Sequence, residues 1–133
     1  MINLFDAVNL GFRRYFDFKG RSTRAEYWWW FTFIAIVAIT LHFADIKLGT
    51  YSHEAGIGVL SGLFALATWI PGFAVMVRRL HDINKSGRWL LLGFIGWLII
   101  PAIVLLVWVI RRGDNGTNKY GPAPALPVSN PVR

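Results

Sequence analysis

Tyr27-Trp28-Trp29-Trp30-Phe31-Thr32-Phe33-Ile34-Ala35-Ile36-Val37-Ala38-Ile39-Thr40-Leu41-His42-Phe43-Ala44 is a run without Asp, Glu, Lys or Arg. Two further and longer blocks meet the same test, over positions 55–77 and 89–110. A bilayer core of roughly 30 Å is crossed by about 20 helical residues, so all three blocks qualify. Core helices of soluble proteins are shorter and keep a polar face. Barrel strands alternate apolar and polar residues, which Leu90-Leu91-Leu92 and Ile103-Val104-Leu105-Leu106-Val107 do not. Lipid offers no water to unpaired backbone groups, which leaves helices. The expected fold is all-α and integral to a membrane, with three transmembrane helices.

Composition agrees. Of 133 residues, 55% are hydrophobic and 16% charged, against about a quarter charged in soluble domains. The net charge is +7, and the basic residues fall in short patches between the blocks. There is no cysteine, which removes disulfides, thiolate metal sites and Cys nucleophiles. No small-x-small cleavage site follows the first block, so it is expected to stay as an anchor. Trp28, Trp29, Trp30, Trp89 and Trp108 stand at block ends, the headgroup level that indoles prefer. Trp69 and Trp97 lie deeper and read as packing residues.

Outward from the blocks, Leu4, Phe5, Val8, Phe12, Tyr15 and Phe16 recur at helical spacing among Asn3, Asp6, Asn9, Arg13 and Arg14. This predicts an N-terminal amphipathic helix lying in the interface with its aromatic face in lipid. The alternative is a helix packed on the chain's own cytosolic loops. Gly20 breaks the chain, and Thr23-Arg24-Ala25-Glu26 fits a capping box at the start of the first membrane helix. After position 112 come Gly, Asn and Pro in quantity, the composition of an extended or flexible tail. The expected organisation is an interfacial helix and basic linker over 1–22, a membrane domain over 23–112 and a flexible tail over 113–133.

Lys and Arg set the topology. Arg13, Arg14, Lys19, Arg21 and Arg24 precede block one; Lys47 alone lies between blocks one and two. Arg78, Arg79, Lys85 and Arg88 lie between blocks two and three, and Arg111, Arg112, Lys119 and Arg133 follow. The positive-inside rule puts the N-terminus and the second loop in the cytoplasm. Three crossings then leave Arg111 and Arg112 outside, against that rule. Gly93, Gly96 and Pro101 interrupt block three, and a turn near Pro101 would make it a re-entrant hairpin with the tail inside. A single crossing kinked at Pro101 is the preferred expectation.

Few residues suggest chemistry. Gly58 and Gly62 form a small-xxx-small motif that lets helices approach closely; packing within the chain is preferred over a homo-oligomer seam. His42 reads as an interfacial residue. No other His stands at ligand spacing from it, so neither metal nor cofactor is expected. There is no phosphate loop, nucleophile elbow or carboxylate pair, and the arginines are membrane-adjacent with no nucleic-acid-binding motif. The informative cluster is Arg21, Arg24 and Glu26 before block one with Arg78, Arg79, His81 and Asp82 after block two. Guanidinium groups match phosphate and carboxylate geometry. The cluster is therefore either a seat for anionic lipid headgroups or a lattice of ion pairs that fixes the helix ends.

Three stretches resemble a known family: Gly20-Arg21-Ser22-Thr23-Arg24-Ala25-Glu26-Tyr27-Trp28, then Arg79-Leu80-His81-Asp82-Ile83-Asn84-Lys85-Ser86-Gly87-Arg88-Trp89, then Gly116-Thr117-Asn118-Lys119-Tyr120-Gly121-Pro122. They are similar to the YhaH-like group of small bacterial inner-membrane proteins, a domain of unknown function, in order and from about residue 15 to 124. Arg88 departs from the family's usual aromatic or small residue. The resemblance implies an inner-membrane location and one shared feature built from Arg21, Arg24, Glu26, Arg79, His81 and Asp82. It implies no activity. The functional expectation is a non-enzymatic membrane protein whose basic inner face meets anionic lipid or a membrane partner. The alternative is an oligomeric transporter or channel component.

Overall fold

The computed structural model describes residues 2–94 and 99–125. Expectations resting on Gly96, Trp97, Pro127, Pro131 and Arg133 lie outside the described residues. The order is α1 (Leu4–Arg13), α2 (Arg24–Leu48), β1 (Tyr51–Ser52), β2 (Ile57–Gly58), α3 (Val59–Asp82), a 3₁₀ helix (Gly87–Gly93) and α4 (Ile99–Ile110). Among the described helices, α2 and α3 are long and apolar enough to cross a membrane. Only 6% of the most apolar window of α2 is buried within the protein, which is not how a soluble core helix behaves.

Thr23 caps α2, its hydroxyl accepting from the Glu26 amide at 3.1 Å. The Glu26 carboxylate does not complete the expected capping box; it turns to Arg78. At the far end Gly49 takes the left-handed conformation (φ 71°) that closes many helices, and β1 pairs antiparallel with β2 to turn the chain into α3. Asp45, fully buried near the end of α2, caps α3 across this turn. It accepts from the Leu60 and Ser61 amides, each at 2.9 Å, and from the hydroxyls of Ser61 (2.7 Å) and Thr50 (2.6 Å). A carboxylate here meets the unpaired amides and positive end of the helix. A Cβ on Gly58 would collide with Asp45 Oδ2, so glycine makes room for the cap. A Cβ on Gly62 would lie 3.4 Å from the Ile57 side chain, in an open apolar groove. Trp69 borders that groove and is 67% exposed, contrary to its reading as a packing residue.

Trp30, read as a headgroup residue, is instead completely buried, whereas its neighbours Trp28 and Trp29 are exposed. Its ring lies under Gly11 of α1, where a Cβ would collide with it, and meets Phe12 edge-on at 5.2 Å. Hence α1 turns its small residues, Ala7 and Gly11, to the protein, while Phe5 and Phe16 stay exposed. A second contact holds the end of α1. Pro71 inside α3 has no amide hydrogen, so the Ala67 carbonyl four residues earlier loses its helical donor. The Tyr15 hydroxyl supplies one at 2.7 Å.

The inner core is formed by Leu80, Ile83 and Leu90 with Phe73, Met76, Val77 and Trp108 around them. Asn84 makes the turn out of α3 with φ 59°, a conformation that asparagine tolerates better than most residues. Twelve residues of α4 are described, about 18 Å of helix, against roughly 30 Å for a bilayer core. The Trp89 and Trp108 rings are 5.4 Å apart, Lys85 Nζ sits 5.2 Å from the Trp108 ring, and a Cβ on Gly93 would touch Leu105 at 3.8 Å. The 3₁₀ helix and α4 therefore run antiparallel. Pro101 stands in the first described turn of α4.

Candidate functional site

The charged residues picked out in sequence converge where α2 begins and α3 ends. Asp82, in the last turn of α3, accepts from Arg21 Nε at 2.9 Å and from an Arg79 terminal nitrogen at 2.5 Å. Glu26, in the first turn of α2, accepts from Arg78 at 3.2 Å. Arg21, Arg78, Arg79, Glu26, His81 and Asp82 are all buried. Taking such ions out of water is costly unless each is paired and its remaining donors are satisfied.

Three guanidinium groups face two carboxylates, and backbone carbonyls take up the other donors. Arg21 donates to the carbonyls of Asp82, Asp114, Gly116 and Gly121. Arg78 donates to the carbonyls of Asp17 (2.6 Å) and Arg14 (3.4 Å) and to the Ser22 hydroxyl (2.9 Å). Arg79 donates to the carbonyls of Val109 (3.1 Å) and Arg111. The last carbonyls of a helix lack intrahelical donors and carry its negative end. Arg79 thus caps the end of α4 from α3, while Arg78 holds the turn that follows α1. Arg24 adds a bond to the Ile110 carbonyl at 3.3 Å, but its side chain is exposed.

The turn-rich stretch after α4, expected to be part of a flexible tail, is docked on this cluster as far as Gly121. The Asp114 amide donates to the Asp82 carbonyl at 2.7 Å and the Asn118 amide group to the His81 carbonyl at 2.9 Å. His81 Nδ1 lies 3.0 Å from the Gly20 carbonyl, which calls for a proton on that nitrogen. Its ring stacks on Tyr120 at 3.8 Å. A Cβ on Gly113 would collide with Asp82 Oδ2. At the cluster's edge, partial burial works to raise the Asp17 carboxyl. Hydrogen bonds from Arg14 and the Lys19 amide, with the charges of Arg14 and Arg78, outweigh it and hold the pKa below the usual value.

The structure brings Arg21, Glu26, Arg79, His81 and Asp82 into one lattice and leaves Arg24 at its rim. Arg24 and Arg112 both border a surface cavity of about 370 Å³ that also touches Thr23, Asn115 and the acidic residues Asp82 and Asp114. A second cavity, about 440 Å³, lies between α1, the start of α2 and residues 120–125. Gly58 and Gly62 lie at the other end of α3. Among the described residues no three His, Cys, Asp or Glu side chains are grouped to hold a metal. Sequence reasoning placed Arg78 in the inner-face patch, although the feature implied by the family resemblance omits it, and passed over Asp45, Gly113 and the Tyr15–Pro71 pairing. Pro71 inside an apolar block was the available signal for the last.

The family described as protein of unknown function (DUF805) matches residues 15–122. Inner membrane protein YhaI of Escherichia coli (strain K12) is 40% identical over 115 residues, covering 84% of this chain and 89% of that one. Inner membrane protein YhaH of the same strain is 37% identical over 117 residues, with 86% and 92% covered. The uncharacterized protein YiiR is 28% identical over 131 residues, with 80% and 84% covered. No solved structure matches.

Proposed function

This chain belongs to the DUF805 family and is an inner-membrane protein with at least two membrane-spanning helices. From that premise we propose that it is non-enzymatic, has its N-terminus in the cytoplasm, and holds anionic lipid headgroups on its inner face. The observation that carries this reading is the division among the arginines. Arg21, Arg78 and Arg79 are buried with their donors on intrachain acceptors, whereas Arg24 and Arg112 are exposed around one cavity. Buried guanidinium groups of this kind maintain the fold; exposed ones beside a polar cavity offer a phosphate two forks. Arg13, Lys19, Arg88, Arg111 and Lys119 are exposed as well and add to the attraction of an anionic leaflet.

The test is lipid preference of the full chain in vesicles, read by tryptophan quenching with brominated phosphatidylglycerol against brominated phosphatidylcholine. Each basic residue near an anionic surface contributes about 1 kcal/mol. Arg24→Gln and Arg112→Gln are each expected to lower the preference about fivefold on that estimate, with the melting temperature of Arg112→Gln unchanged. An unaltered preference in the double variant would exclude this seat. The transporter alternative needs a polar path. The exposed faces of α3 and α4 carry Leu63, Leu66, Trp69, Ile103, Leu106 and Val107, which suit lipid contact.

A further inference from the structure

We infer that the third apolar block does not cross the membrane: the 3₁₀ helix and α4 form a hairpin that enters from the inner face, meets the acyl chains of the inner leaflet, and returns to the same face. Were positions 89–110 one helix, Trp89 and Trp108 would lie about 28 Å apart at roughly 1.5 Å per residue. Their rings are 5.4 Å apart.

Both ends of the hairpin are fixed at the same end of the bundle. The chain enters it directly from the turn after α3, through Asn84 and Ser86. It leaves where Arg79 binds the Val109 and Arg111 carbonyls and where Asp114 binds the Asp82 backbone. Arg79 and Asp82 are in the last turn of α3. A tail on the far side would have to break every one of these bonds. The described parts of the arms, about 14 Å of 3₁₀ helix and about 18 Å of α-helix, are each shorter than a bilayer core of roughly 30 Å, and their outward residues, among them Leu91, Phe94, Ile100 and Ile103, are apolar and exposed. Acyl chains are the occupant that fits: these residues are apolar and exposed like Ile36 and Ile39 of α2 and Leu63 and Leu66 of α3, and a basic rim of Arg88, Arg111 and Arg112 stands at the hairpin's mouth. The arrangement also removes the charge conflict of three crossings, because Arg111, Arg112 and Lys119 then share the cytoplasmic side with the other basic residues.

The absence of cysteine makes the test clean. Single cysteines are placed in the full chain at Arg88, Thr117 and, on the opposite loop, His53, all exposed positions. Each variant is exposed to a membrane-impermeant maleimide in sealed right-side-out and inverted inner-membrane vesicles. R88C and T117C are expected to react at least tenfold faster in inverted vesicles, and H53C at least tenfold faster in right-side-out ones. Labelling of T117C from the side that labels H53C would overturn the hairpin and restore a third crossing. Lipid preference does not enter this readout, so the hairpin and the headgroup seat can fail separately.

Discussion

Asp82 gathers two arginine side chains, an amide from the segment after α4 and the close approach of Gly113. Asp82→Asn would leave Arg21 and Arg79 buried without their counter-charge, and breaking a buried pair costs about 3–5 kcal/mol. The expected outcome is a chain that fails to accumulate in membranes or melts far below the parent in mild detergent. Near-parent melting would remove the lattice from its structural role. Tyr15 offers a quieter test. Tyr15→Phe leaves the Ala67 carbonyl without its donor, at a cost of about 1 kcal/mol. In a Pro71→Ala background the helix can supply its own amide, and the same substitution should cost less than half as much. Equal costs in the two backgrounds would show that the hydroxyl does not act through that carbonyl.

At the scale of elements, helix ends are closed from neighbouring helices. Asp45 of α2 caps the start of α3, Arg79 of α3 caps the end of α4, and Arg78 of α3 holds the turn after α1. Asp45→Ala is expected to lower the melting temperature and speed hydrogen exchange at the Leu60 and Ser61 amides, with little effect at the inner end. Exchange unchanged at those amides would mean that the turn closes without the carboxylate. The span of α2 was readable as an uncharged run and its start from the Thr23 cap, yet its far end required structure. It runs from Arg24 to Leu48, because Thr23 and Gly49 terminate it and its terminal charges pair or reach the interface. The short α4 was unreadable for the opposite reason: the apolar run over 89–110 satisfies both a straight span and a hairpin.

At the scale of the whole molecule, residues 111–121 act as a clasp on the ends of α2 and α3. A chain ending at Ile110 would lose every carbonyl that Arg21 uses apart from that of Asp82. It is expected to be degraded or aggregated, whereas a chain ending at Ala125 keeps those acceptors and should accumulate normally. Equal membrane yields of the two, followed by immunoblotting, would deny the clasp its role.

The sequence by itself determined the membrane class, the two long helices, the family and the six members of the buried cluster, because these depend on hydropathy, on capping residues and on motifs local to the chain. It could not determine that Arg24 stays outside the lattice that takes in Arg21 and Arg79, since burial depends on what packs above a side chain. Trp30 shows the same limit: it differs from exposed Trp29 through the presence of Gly11, which belongs to a different helix. Only the tertiary structure decided that Trp89 faces Trp108 and that the segment after α4 returns to Asp82. Those contacts join residues distant along the chain, and hydrophobicity, which has no direction, does not record which way a segment turns.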